Sequence, residues 1–313
     1  MEALVTGATG FIGSHLVAAL LREGFRVRVL LRRQSQLRWL EGLEVVPCYG
    51  DCTEAQSLAE AVKGVQYIFH VAGLISAPRV EDFYLVNAQG TDNLLRAALE
   101  HAPGLRRFLY LSSLAAAGPS ENGAAVDEQS PPRPVSHYGR SKLQGEQAVL
   151  ARGLPAVVLR PPVVYGPRDR GLQVFFRLAQ KGLFPYWGQS VYSMLYVDDL
   201  VEALILAATR EGLQGRVYFV SDGPYSSREI WEALADALGR RPLRVPTPLG
   251  LLRLLSPLLR EEMLSKDKLR ELAHRHWVCS SERARAELGF RPRVKLKEGM
   301  KWTADWYRIH QWL

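Results

Sequence analysis

Residues 3–15, ALVTGATGFIGSH, pass from a short β-rich segment through a glycine-rich turn into a helical pattern. Gly7, Gly10 and Gly13 follow the predicted strand and open the predicted helix. Glycine at such a turn lets the backbone bend tightly and lets a pyrophosphate lie against the amides of the helix N-terminus. A purely structural turn is the alternative, and the spacing differs from the usual Gly-x-Gly-x-x-Gly. The strand at the N-terminus favours a nucleotide site.

The first 165 residues alternate β-rich runs with helical patterns, which predicts βαβ units and a parallel sheet with helices on both faces. The predicted strands are 3–7, 26–31, 43–51, 65–73, 107–113 and 155–161. Beyond residue 166 this rhythm loosens. We therefore predict a Rossmann-type, doubly wound α/β fold with a nucleotide-binding domain over 1–166, to which 190–208 returns. A smaller mixed α/β lobe over 167–313, interlaced with the sheet, would bind the substrate.

Composition excludes several classes of protein. The chain has 313 residues, of which 47% are hydrophobic and 23% charged, as in a folded, soluble, cytoplasmic protein. Three cysteines without neighbouring ligands predict reduced thiols and no metal site. No signal peptide or integral membrane segment is expected. The net charge of +8 is concentrated in residues 240–313, with 17 Lys and Arg against 8 Asp and Glu; without a nucleic-acid recognition motif, it predicts no nucleic-acid partner.

The type of cofactor is predicted from the end of the second strand, which continues as LLRRQSQ. An NAD site needs a carboxylate there to accept hydrogen bonds from both ribose hydroxyls. Leu31 occupies the expected position, and Arg32 and Arg33 follow it. Two guanidinium groups suit the 2′-phosphate of NADP. A solvated basic loop is the alternative, so NADP is the prediction and NAD stays open.

The stretch HYGRSKLQGE, residues 137–146, contains Tyr138 and Lys142. Residues four apart share one face of a helix, so both side chains can reach a single ligand. A proton-handling pair and an ordinary helix surface are both consistent with this spacing taken alone.

Several ordered motifs resemble those of the extended short-chain dehydrogenases/reductases, in the NAD-dependent epimerase/dehydratase superfamily. The motifs are TGATGFIG, GDCTE (50–54), HVAG (70–73), YLSSLAAAG (110–118), Tyr138-x-x-x-Lys142, RPPVVYGP (160–167), YVDDL (196–200) and ARAELGFRP (284–292). The resemblance spans nearly the whole chain. It is specific for the family and not for a substrate.

The resemblance implies a role for each matching position. Ser113, Tyr138 and Lys142 would be catalytic. The cofactor would be bound by Gly7, Thr9, Gly10, Phe11, Ile12, Arg32, Asp51, Cys52, Ala72, Gly73, Tyr138, Lys142, Pro161 and Val163. The Lys142 ammonium and the oxidised nicotinamide would lower the pKa of Tyr138 toward neutrality. Relatives commonly form homodimers through a four-helix contact that includes the Tyr138–Lys142 helix.

Two branches of the family remain as predictions for the substrate. Sugar-nucleotide epimerases and dehydratases often have a phosphate-binding arginine just before the YVDDL motif, where this chain has Tyr192. The run SSLAAAG and the leucine-rich segment 247–260, expected to cover a pocket, suit a hydrophobic small molecule instead. The favoured prediction is an NADP(H)-dependent reductase or dehydrogenase similar to dihydroflavonol reductases and 3β-hydroxysteroid dehydrogenases. A redox sensor without catalysis is the third alternative. The physiological substrate, the reaction direction and the role of the basic region 240–313 stay open.

Overall fold

The computed structural model describes residues 1–186, 188–248, 250 and 265–313. The strands are β1 (Glu2–Thr6), β2 (Arg26–Leu31), β3 (Val45–Tyr49), β4 (Tyr67–His70), β5 (Arg107–Leu111), β6 (Ala156–Arg160), β7 (Val163–Tyr165), β8 (Leu183–Tyr186), β9 (Val191–Tyr196), β10 (Arg216–Phe219), β11 (Gly223–Ser226), β12 (Leu243–Pro246) and β13 (His276–Trp277).

The helices of the described residues are α1 (Phe11–Arg22), α2 (Ala59–Val62), α3 (Val80–Tyr84), α4 (Gly90–His101), α5 (Leu114–Ala117), α6 (His137–Ala151), α7 (Arg170–Gln180), α8 (Val197–Thr209), α9 (Ser227–Leu238), α10 (Lys266–Leu272) and α11 (Leu296–Ile309). Short helical turns of other periodicity occupy Ala55–Ser57, Leu85–Gln89 and Ala284–Leu288.

Seven of the described strands form one parallel sheet in the order β10-β6-β5-β4-β1-β2-β3. The chain runs outward from β1 to β2 and β3 on one side, and from β4 to β10 on the other. Open α/β sheets bind ligands at the carboxyl ends of their strands, beside the point where the strand order reverses. That point lies next to β1 here, and the predicted doubly wound fold class is confirmed.

Helices cover both faces of this sheet. α1 and α8 bury residues such as Leu16 and Leu204 against one face. α2, α4 and α6 cover the other face, where Leu94 and Val149 lie in a second buried cluster. A parallel sheet needs this covering because its strands are apolar on both sides.

A smaller mixed lobe is built from the second half of the chain. β11, β9 and β13 form a sheet to which β7 adds through β9, while β8 and β12 pair separately. Residues 190–208 are predicted to return to the nucleotide-binding domain. α8, which lies almost wholly within them, packs on α1. The strand that this half of the chain adds to the central sheet is β10, which lies beyond residue 208. The boundary at residue 166 stays a prediction. Most of the leucine-rich segment 247–260, with its predicted role as a pocket cover, lies outside the described residues.

A buried ion pair holds α6 against the edge of the central sheet. Glu146 of α6 accepts two bonds from Arg160 at the end of β6, from Nε at 2.9 Å and from Nη2 at 2.6 Å. The Ser112 hydroxyl donates to the same carboxylate. Both charged side chains are almost completely buried. The pair therefore fixes the position of α6 relative to the carboxyl ends of β5 and β6.

We expect Arg160→Leu to lower the free energy of unfolding by about 3–5 kcal/mol, because it leaves the Glu146 carboxylate buried without its partner. Urea unfolding at pH 7 measures this loss. Arg228→Leu is the matched control, because its ion pair with Glu232 lies on an exposed helix surface and is worth about 0.5 kcal/mol at most. Equal losses in the two variants would contradict a special role for the buried pair.

Candidate active site

The glycine turn between β1 and α1 brings backbone amides to the carboxyl edge of the sheet. Gly7 has a φ of +71°, and a Cβ on it would lie 2.7 Å from the amide nitrogen of Ala72. The Gly10 amide donates to the Gly7 carbonyl oxygen at 3.0 Å. α1 then begins at Phe11 without a side-chain cap. Its leading amides are therefore suited to an anion such as a pyrophosphate.

The side chains that follow the turn anchor it to the rest of the protein. Phe11 packs edge-on against His15, with ring centroids 5.9 Å apart. Ile12 contacts the sheet cluster and the cluster of the smaller lobe. Thr9 is partly exposed in the turn itself.

Arg32, Asp51 and Cys52 meet at the ends of β2 and β3. Burial and the Asp51 carboxylate raise the pKa of the Cys52 thiol to about 12, while the nearby Arg32 guanidinium acts to lower it. Arg32 is exposed, and its side chain makes no ion pair with any residue that the structure describes. Asp51 Oδ1 accepts two bonds from Thr53, each 2.9 Å long. The structure therefore places a free cation at the predicted position.

A chain of buried hydrogen bonds supports the loop after β4. The Ala72 amide donates to Thr6 Oγ1 at 3.2 Å, and Thr6 Oγ1 lies 2.7 Å from His70 Nδ1. His70 Nε2 lies 2.9 Å from the hydroxyl of Thr91, which donates to a backbone carbonyl. Burial and the nearby Lys142 lower the pKa of His70 to about 3. The imidazole is therefore neutral at pH 7 and positions Ala72.

Asn87 ties the same loop to α6. Its Oδ1 accepts from the Leu74 amide at 2.8 Å, and its Nδ2 donates to the Leu74 carbonyl and to the Ser141 hydroxyl, each at 2.9 Å. Asn87 therefore links this loop to Ser141 of α6. A Cβ on Gly73 would lie 3.1 Å from Asn87 Oδ1 and 3.6 Å from Lys142 Nζ. Gly73 therefore leaves room above both side chains.

Ser113, Pro161 and Val163 lie beyond the ends of β5 and β6. Ser113 Oγ accepts from the Ala115 amide at 3.1 Å and so caps α5. The Leu114 amide donates to the Pro161 carbonyl at 2.8 Å, which joins the two strand ends. Val163 is 38% exposed despite its apolar side chain. An apolar side chain is therefore exposed among the residues predicted to bind the cofactor.

Lys142 is held in an unusual environment for an ammonium group. The residue is only 3% exposed, and its Nζ lies 4.2 Å from the centroid of the Tyr110 ring. Burial lowers the pKa of Lys142 to about 7, although the Glu146 carboxylate one turn along α6 raises it. The side chain of Lys142 therefore exchanges its proton near neutral pH.

The prediction that the pKa of Tyr138 is lowered is wrong as far as the protein's own groups are concerned. Burial raises the pKa of Tyr138 above its ordinary value, and the Glu271 carboxylate raises it further. A hydrogen bond with Ser113 and the charge of Lys268 act in the opposite direction. Ser113 thus acts on Tyr138, and the cation that lowers the pKa of the phenol is Lys268 instead of the predicted Lys142.

Two carboxylates of α10 contact the start of α6, and sequence reasoning missed them. Asp267 accepts the backbone amides of His137 and Tyr138. Glu271 accepts from Ser136 and from Lys268. No local signal marked these residues, because a charged run on a helix is typical of a solvated face.

The family model of the NAD dependent epimerase/dehydratase family matches residues 3–221. The chain belongs to this family, within the extended short-chain dehydrogenases/reductases. It is an NAD(P)-dependent oxidoreductase enzyme.

Two curated relatives match almost the whole chain. The ceramide reductase of Caulobacter vibrioides is 36% identical over 323 residues, covering 99% of this chain and 95% of that protein. A 4-hydroxy-2-methyl-3-oxo-4-farnesyl-3,4-dihydroquinoline-1-oxide ketoreductase of Stigmatella aurantiaca is 30% identical over 323 residues, covering 96% and 95%.

Solved structures share the fold. The crystal structure of gox2253 has a TM-score of 0.84 at 29% identity and covers 100% of this chain and 99% of that chain. MoeE5, solved with UDP-glucuronic acid and NAD, has a TM-score of 0.81 at 25% identity, with coverage of 99% and 100%. Among the described residues, no helix has the length and apolar character to cross a membrane.

Lys142→Met should stabilise the protein in a pH-dependent way. The pKa of Lys142 in the fold, about 7, lies below its ordinary 10.5. The unfolded chain therefore binds this proton more tightly, and Lys142 opposes folding increasingly as the pH falls from 10.5 to 7. We expect Lys142→Met to raise the free energy of unfolding by roughly 2–4 kcal/mol at pH 6, with the gain shrinking toward pH 10.

Urea unfolding of the unaltered protein and of Lys142→Met at pH 6, 8 and 10 measures this gain in the free energy of unfolding. Lys63→Met is the control, because Lys63 is 70% exposed and should give no pH-dependent gain. A Lys142→Met gain that is the same at all three pH values would contradict the argument.

Proposed function

We propose that the protein reduces a ketone, or oxidises a secondary alcohol, on a small and fairly hydrophobic substrate with NADP(H). The observation that carries this proposal is that Ser113, beyond the end of β5, acts on Tyr138, while Lys142 lies one turn along α6 and next to Gly73. The names of the curated relatives, a ceramide reductase and a ketoreductase, support the same reaction.

The three residues would divide the work on the substrate oxygen and the cofactor. The Tyr138 hydroxyl donates its proton to the carbonyl oxygen in reduction and takes a proton back in oxidation. The Ser113 hydroxyl donates a hydrogen bond to the same oxygen and stabilises its developing negative charge. Lys142 binds the nicotinamide ribose hydroxyls. The cofactor, when bound, would supply the hydride for the carbonyl carbon.

The residues around the turn fit a dinucleotide. A Cβ at Gly7 would fill the space against the Ala72 backbone, and the uncapped N-terminus of α1 suits the pyrophosphate. Asp51 and Cys52 would lie against the adenine, with Ala72 and Gly73 along the cleft. The exposed Arg32 suits a 2′-phosphate, because a guanidinium forms bidentate bonds with phosphate oxygens.

The neighbourhood of Tyr138 supports a hydrophobic substrate. Buried Leu114, Ala115 and Trp277 form an apolar cluster, against which Tyr138 and Tyr192 pack. Tyr192 stands where many sugar-nucleotide enzymes have an arginine for the diphosphate. The alternative, a sugar or nucleotide-sugar epimerase/dehydratase, is supported by the likeness to MoeE5, which was solved with a UDP-sugar.

We also propose a homodimer formed through α6 together with its neighbour α4. Each of these helices carries an apolar side chain on its outer face. Leu99 of α4 is 46% exposed and Leu150 of α6 is 43% exposed. Covering such residues in a four-helix contact would remove apolar surface from water.

Tyr138→Phe should lower kcat for ketone reduction by about 10²- to 10⁴-fold, because it removes the proton donor, while the Kd for NADPH changes little. NADPH oxidation with ethyl 3-oxodecanoate, androstenedione and UDP-glucose as separate probes measures the activity. Tyr84→Phe is the matched control, since Tyr84 hydrogen-bonds His137 and has no part in the proposed proton transfer. Full activity in Tyr138→Phe would sink the proposed mechanism, and turnover of UDP-glucose alone would favour the epimerase/dehydratase alternative.

The protein should bind NADPH at least tenfold more tightly than NADH, a difference of about 1.4 kcal/mol, and Arg32→Ala should abolish this preference. Nicotinamide fluorescence titrations give both Kd values. Arg26→Ala is the control, because Arg26 is an exposed arginine at the opposite end of the same strand. Equal or tighter binding of NADH by the unaltered protein would mean that NAD is the cofactor.

A further inference from the structure

We propose that α10 of the smaller lobe is part of the catalytic machinery, and that its Lys268–Glu271 ion pair sets the electrostatic environment of the Tyr138 hydroxyl. Lys268 and Glu271 are positioning residues in this proposal, since they act through Tyr138. The inference rests on the role in proton transfer that is proposed above for Tyr138.

The first observation is the way in which α10 holds the start of α6. Asp267 Oδ1 accepts the His137 amide at 2.8 Å, and Asp267 Oδ2 accepts the Tyr138 amide at 2.9 Å. The first amides of a helix have no partner within the helix. A carboxylate from a distant part of the chain satisfies two of them here. The position of Tyr138 therefore depends on α10 as well as on α6.

The second observation is a chain of hydrogen bonds that ends in a cation. Ser136 caps α6, since its hydroxyl oxygen accepts the Gly139 amide at 2.9 Å. The same hydroxyl donates to Glu271 Oε1 at 2.7 Å, and Glu271 Oε2 accepts from Lys268 Nζ at 2.7 Å. Glu271 is 6% exposed, whereas the Lys268 side chain is 34% exposed, so the carboxylate of the pair is the better shielded of the two charges.

The third observation is that both charges of the pair act on Tyr138. Burial opposes the charge of Lys268, but Glu271 together with Tyr138 and Tyr192 outweighs that effect and raises the pKa of Lys268. Lys268 is therefore a full cation at pH 7. Its charge lowers the pKa of Tyr138, while the charge of Glu271 raises it.

The other groups around Tyr138 come from several elements. Ser113 at the start of α5 acts to lower the pKa of the phenol, and Tyr110 of β5 interacts with it electrostatically. Phe83 of α3 contacts its ring without a charge. On its own helix lie His137 and, one turn along, Lys142. Among the described residues, Lys268 and Glu271 of α10 supply the two opposite charges that act on the phenol.

Opposite charges predict opposite effects of neutralisation. Glu271→Gln keeps an acceptor for Ser136 and removes the negative charge, so Tyr138 should ionise at a lower pH. Lys268→Met removes the cation and leaves Glu271 uncompensated, so Tyr138 should ionise at a higher pH. The double variant removes both charges, so its Tyr138 should ionise at a pH close to that in the unaltered protein. A purely structural role of α10 would not give shifts of opposite sign.

The experiment is a pH titration of the full chain labelled with ¹³Cζ-tyrosine, followed by NMR to pH 11. The chain has 12 tyrosines, and the signal missing from Tyr138→Phe assigns the one of interest. We expect the midpoint in Glu271→Gln to fall by about one pH unit and that in Lys268→Met to rise or leave the range. Lys266→Met, an exposed neighbour on α10, should leave the midpoint unchanged.

The proposal is overturned if the Tyr138 midpoint in Glu271→Gln is no lower than in the unaltered protein. It is also overturned if Tyr138 fails to titrate below pH 11 in both of these proteins. Shifts of the same sign in the two single variants overturn it as well. Circular dichroism confirms that each variant is folded. The titration needs no turnover, so its failure is distinct from failure of the proposed function, which the activity of Tyr138→Phe decides.

Discussion

The buried ion pair between Glu146 and Arg160 is the constraint on which the geometry of the candidate active site depends. It joins the middle of α6 to the end of β6, and the Ser112 hydroxyl adds a bond from the end of β5. Such a pair contributes little net stability, but either charge without the other would be costly. The register between α6 and the sheet is therefore strongly specified, and Tyr138 and Lys142 are carried to the carboxyl edge with it.

The same region shows where stability opposes function. Lys142 is an ammonium group with little exposure, and its lowered pKa expresses the free energy that folding loses by burying it. Neutral His70, buried nearby, adds no second charge. A site that is to bind a cofactor and move a proton needs polar groups away from water, where their interactions are strong. The hydrogen bonds of Thr6, Asn87 and Thr91 hold these groups in place.

Much of the fold could be predicted from the sequence because its signals are local. The predicted strand 26–31 has the observed bounds of β2, and β1 starts one residue from its predicted position. The strand predicted over 65–73 ends at His70, because residues 71–73 leave the sheet to form the loop held by Thr6 and Asn87. Strand propensity describes the apolar run but contains no information about where the chain turns toward a ligand.

The candidate site also has features that the local sequence predicted and features that only tertiary packing decided. Periodicity, the glycine spacing and the four-residue separation of Tyr138 and Lys142 are properties of neighbouring residues, and they were sufficient for the fold class and for one face of α6. Tertiary packing alone placed Asp267 and Glu271 against residues 136–138, from 129 to 135 positions away in the chain. A carboxylate that caps a distant helix looks like any surface carboxylate in the sequence, because its partners are backbone amides that every residue possesses. Long-range packing therefore decided which charges act on the phenol, and no local pattern could have done so.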